Sequence, residues 1–107
     1  MITSESTVQK AVNYLAETDA EHARAKAEYN AKSAMTKTIL GFIFNDAAGS
    51  VEAKKAAGYT STEYQAHIES LKKLEIELQG MYNKRDTAKN IIELYRTESA
   101  NLRKGNI

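Results

Sequence analysis

Residues 71–102 read LKKLEIELQGMYNKRDTAKNIIELYRTESANL, and the fold follows from how this stretch is spaced. Leu71, Leu74, Leu78, Met81, Arg85, Ala88, Ile92, Tyr95, Ser99 and Leu102 recur in alternating steps of three and four. Such a seam belongs to a helix lying near-parallel along a partner helix. Only Arg85 and Ser99 interrupt its apolar character, and only Gly80 interrupts its helix propensity. The spacing predicts a helix over about 61–104, opened by Thr60-Ser61-Thr62-Glu63 as a capping box with Thr60 as cap.

Working back toward the N-terminus, a second long helix is predicted over about 5–45. Ser4 or Ser6 caps it. Ala16, Ala20, Ala23, Ala27, Ala31 and Ala34 repeat in steps of three and four and are expected to form its packing stripe. Between the two helices, Ser50 caps a short helix over about 50–57, and Gly58 is expected to end it. Proline, which costs about 3 kcal/mol inside a helix, is absent from the whole chain.

These elements predict one all-α domain over 1–107, a long antiparallel helical hairpin with a short helix in its connector. The charges agree with that register. Residues 1–30 are rich in acids and residues 81–107 in bases, so an antiparallel pair lays unlike ends together. A hairpin with one internal seam buries little, which predicts dimerisation into a four-helix arrangement.

The chain has 107 residues, a net charge of +1 and no cysteine. That excludes disulfide frameworks, cysteine-based zinc sites and thiol nucleophiles. The longest apolar run, residues 39–44, is far short of the roughly 20 residues that span a bilayer. A chain without a membrane partner, working in the cytoplasm, is expected.

Asp19 and His22, and Glu63 and His67, have spacings that can place an acid and an imidazole on one helix face. The further carboxylates of a helix-bundle metal site do not accompany them, so no metal and no cofactor is expected. With neither a nucleophile elbow nor a phosphate-cradling glycine loop, catalysis is not expected either.

Two surfaces remain for binding. Arg85, Lys89, Arg96 and Arg103 follow in steps of four, seven and seven and form a ridge beside Tyr82 and Tyr95. Cations with interleaved aromatics can hold phosphates and stack bases, whereas cations paired with the acids of the first helix would only fix the hairpin. The apolar tip, residues 39–44, either docks a partner or packs under the connector against Val51, Tyr59 and Tyr64.

The residues Tyr64-Gln65-Ala66-His67, Leu71 and the segment 92–103, IELYRTESANLR, resemble a group of small helical proteins of tailed bacteriophages. In that group an aromatic-Arg-Thr-x-Ser-Ala-Asn-x-Arg segment ends a long helix. The resemblance covers roughly residues 60–104, with Tyr95 standing where the group has tryptophan. It implies a phage accessory protein made in the host cytoplasm, because genes of the group lie near those for single-strand annealing and recombination. On that basis Arg96, Asn101 and Arg103 join Arg85 and Lys89 as candidate partner-binding residues, with Arg96 and Arg103 able to grip a carboxylate or phosphate. The expected function is a non-enzymatic contact with a protein partner, in DNA recombination or host-defence evasion. The alternatives are single-stranded DNA binding along the ridge and a spacer role in a phage assembly.

Overall fold

A computed structural model describes residues 3–105, and every regular element among them is helical. The elements are α1 (Glu5–Ala34), α2 (Thr36–Asp46), α3 (Val51–Tyr59) and α4 (Thr62–Gly105). The fold is the expected antiparallel helical hairpin, with α1 and α2 forming its first arm, α3 in the connector and α4 as the return. Contacts gather the chain into two units. Unit 1 is the described part of Met1–Ala23 and Gln79–Ile107, and unit 2 is Arg24–Leu78.

Helix starts follow local hydrogen-bonding chemistry. Thr7 N–H donates to Ser4 Oγ at 3.1 Å, which satisfies an otherwise unpaired donor in the first turn of α1. Ser50 does the same for α3, accepting from Ala53 N–H at 3.1 Å. The cap of α4 is Ser61 and not Thr60: Tyr64 N–H donates to Ser61 Oγ at 3.1 Å. Thr60 belongs to the end of α3, where its hydroxyl donates to Ala56 O at 2.9 Å.

Two further expectations are corrected. The first arm is broken at Met35, whose N–H bonds back three residues to Lys32 O before Ile39 N–H resumes the helix on Met35 O. Residues 33–37 contain no glycine or proline, so nothing in the sequence marks this tightened turn. Gly58 does not terminate α3 but lies inside it, buried. A Cβ there would meet Leu40 Cδ2 at 3.0 Å, so the glycine serves the close approach of α3 to α2. The left-handed glycine is Gly49, with φ of 109°, which turns the chain from α2 into α3.

The alanine stripe is also corrected: Ala16, Ala20, Ala23, Ala27, Ala31 and Ala34 are all exposed. In unit 1 the residues of α1 turned inward are Val8, Ala11, Leu15, Thr18 and His22, against Met81, Arg85, Ala88, Ile92, Tyr95 and Ser99 of α4. Tyr95 O–H reaches Glu5 Oε1 at 3.5 Å, and Thr3 N–H donates to Glu98 Oε2 at 2.6 Å, which sets the antiparallel register. In unit 2 the inward residues of the first arm are Ala25, Tyr29, Lys32, Thr36, Ile39 and Ile43, against Tyr64, His67, Leu71, Leu74 and Leu78. Lys32 Nζ donates to Ser70 Oγ across that pair. Alanine has the highest helix propensity wherever it sits, so its repeat marked the helix and not the buried face.

The core that results is thin. Among the described residues the buried apolar side chains are Ala11 and Ala88, and no large side chain is fully enclosed. The expected seam of α4 is otherwise as drawn, except that Leu102 is half exposed.

Candidate interaction surface

The ridge proposed from sequence divides into two kinds of residue. Arg85 is drawn into the seam of unit 1 and is only 9% exposed. Its Nη1 donates to Leu15 O at 2.9 Å and to Thr18 Oγ1 at 2.6 Å, and its Nη2 lies 3.3 Å from Asp19 Oδ1. Thr18 is held for this task, since its own hydroxyl donates to Tyr14 O at 2.7 Å. A buried guanidinium needs acceptors for its fork of donors, and this set meets the need. Arg85 therefore fixes the pairing of α1 with α4 and offers no charge to a ligand.

Lys89, Arg96, Asn101 and Arg103 are exposed. Arg96 pairs with Glu93 on its own helix, Nη1 to Oε1 at 3.2 Å, with both side chains mostly in solvent. Arg96 and Arg103 are thus displayed along α4 without a partner on α1, while Tyr95 turns inward toward Glu5.

The histidine pairs separate in the same way. Asp19 faces Arg85, and His67, 7% exposed, lies 2.7 Å from Thr36 Oγ1 in a hydrogen bond across unit 2. Among the described residues no three His, Asp or Glu side chains converge.

The tip is partly packed and partly presented. Ile43 and Phe44 are half buried, and Lys54 Nζ sits 5.5 Å from the centre of the Phe44 ring, within cation–π range. Tyr59 and Tyr64 meet edge to face with centroids 5.3 Å apart. Phe42 is 68% exposed, and Val51 and Tyr59 are more than half exposed. Of the tip residues that one of the two sequence readings packed under the connector, Ile43 and Phe44 are half buried and Phe42 is not.

The structure adds a third surface. In unit 1, Ala11 and Ala88 floor an apolar groove of about 390 Å³ walled by Tyr14 and Ile91, with Lys10 and Lys84 among its lining residues. The signal was available in the heptad 8, 11, 15, 18, 22 of α1, whose small residue at position 11 faces the small residue at 88. Threonine and histidine in that heptad obscured it.

No helix among the described residues is long and apolar enough to cross a membrane. No family model, curated protein or solved structure matches the chain.

Proposed function

We propose that this protein is a non-enzymatic accessory protein of a tailed bacteriophage, which self-associates and acts in the host cytoplasm by helical contact with a protein partner. DNA recombination and host-defence evasion are the settings that the sequence resemblance favours. The observation that carries the reading is the display of large apolar side chains from α2 and α3. Phe42, Val51 and Tyr59 are all more than half exposed in a unit whose seam includes lysine, threonine and histidine. Each is a large apolar side chain left available to a partner. Aromatic residues of this kind are frequent anchors of protein interfaces.

The test uses the tagged full chain recovered from phage-infected cells, beside Phe42→Asp and Tyr59→Asp variants. The expected result is one specific, stoichiometric partner lost from both variants while far-UV circular dichroism is unchanged. Turnover of a nucleotide or nucleic acid by the purified chain, abolished by Arg96→Ala, would overturn the reading.

The exposed series Lys89, Arg96 and Arg103, spaced by sevens, favours single-stranded DNA binding as the second reading. In that case affinity falls steeply with salt and drops when Arg96 and Arg103 are replaced together.

A further inference from the structure

We infer that the groove of unit 1 is the surface on which a second copy of this chain docks, turned end for end about Tyr14. The inference rests on the reading of the chain as self-associating and adds where the copies meet. Its first support is the state of the groove. Ala11 and Ala88 bring α1 and α4 close enough to form an apolar floor, but Tyr14 and Ile91 above them are only half covered. The same unit displays Leu94, half exposed, one turn beyond Ile91.

The second support is charge. Lys10 and Lys84 line the groove, and neither has an ion pair; the pairs among the described residues are Arg85–Asp19 and Arg96–Glu93. Lys10, Tyr14, Glu17 and Glu21 are separated by four, three and four residues, so they share one face of α1. The face is therefore basic on one side of Tyr14 and acidic on the other, with Lys10, Glu17 and Glu21 exposed. A two-fold contact requires a patch complementary to itself. Rotation about Tyr14 supplies one: Lys10 of each copy meets Glu17 of the other, on both sides of the axis. The two Tyr14 side chains, each half covered, then meet at the axis.

Sedimentation equilibrium of the full chain across a range of protein concentrations tests this, with Lys10→Glu, Glu17→Lys, the double charge exchange and Ile91→Asp. The expected result is a concentration-dependent dimer. Each single charge change weakens it roughly tenfold, because one substitution alters two symmetric contacts. The double exchange restores the dimer, and Ile91→Asp abolishes it. The two charge positions are exposed, so their variants keep the fold even if Ile91→Asp does not. A dimer insensitive to all four variants would place the interface elsewhere and overturn the inference while leaving self-association standing. A chain that is monomeric at every concentration would overturn both.

Discussion

Arg85 in unit 1 and His67 in unit 2 occupy inward positions of the same three-four repeat, yet the two units accommodate them differently. Arg85 carries a charge that cannot be shed, and α1 meets it with a backbone carbonyl, a hydroxyl and a carboxylate. His67 has one partner, the hydroxyl of Thr36. The difference teaches what a polar residue in a thin seam requires. A permanent charge demands several acceptors at defined levels and so fixes the helix register, whereas an imidazole is accommodated by a single hydroxyl that leaves register to the surrounding leucines. This is the helix-pair form of the specificity that a lone polar residue gives a coiled coil.

The comparison can be broken most severely by placing a charge in the seam where no acceptors wait. Leu78→Asp, in the leucine-rich part of α4, should cost about 2–4 kcal/mol, because the seam there offers the carboxylate no donor set. Urea denaturation followed by circular dichroism measures it, and unchanged melting would mean that residue 78 is not in the seam. Next in size, Thr18→Val removes one acceptor from Arg85 and should cost about 1–2 kcal/mol, the penalty for a buried donor losing its partner. If His67 is the less demanding residue, His67→Leu should cost no more than about 1 kcal/mol, and adding Thr36→Val should return most of it, since neither polar group then remains unpaired. A double-mutant cycle reads that coupling directly. The smallest effect belongs to Asp19→Asn. Asp19 is 78% exposed, so solvent screens its pair with Arg85 and the loss should be about 0.5 kcal/mol or less. A loss as large as that of Thr18→Val would move the weight of the Arg85 site from the hydroxyl to the ion pair.

Element types and most boundaries were legible in the sequence for a specific reason. The seam of α4 is apolar at nearly every inward position, and the Ser4 and Ser50 caps are local hydrogen-bonding events that need no tertiary context. The inward face of the first arm was not legible because its repeat holds Thr18, His22 and Lys32 of α1 and Thr36 of α2, residues whose polarity argues for solvent. The exposed alanines next to them repeated with the same period. Arg85 had two readings, as a member of the inward repeat of α4 and as the first cation of the ridge, and its contacts with Leu15, Thr18 and Asp19 select the first. Only the position of Leu15 O and Thr18 shows which side it takes.

By itself, the sequence determined that the chain would be helical, that two long arms would run antiparallel, and where the connector would begin. Helix propensity, capping and three-four periodicity are properties of neighbours along the chain. The tertiary structure decided which face of α1 turns inward, that Gly58 serves close packing against Leu40, and which cations are satisfied and which are displayed. Those outcomes depend on acceptors and volumes contributed by residues on other helices, distant along the chain, and no local pattern records them.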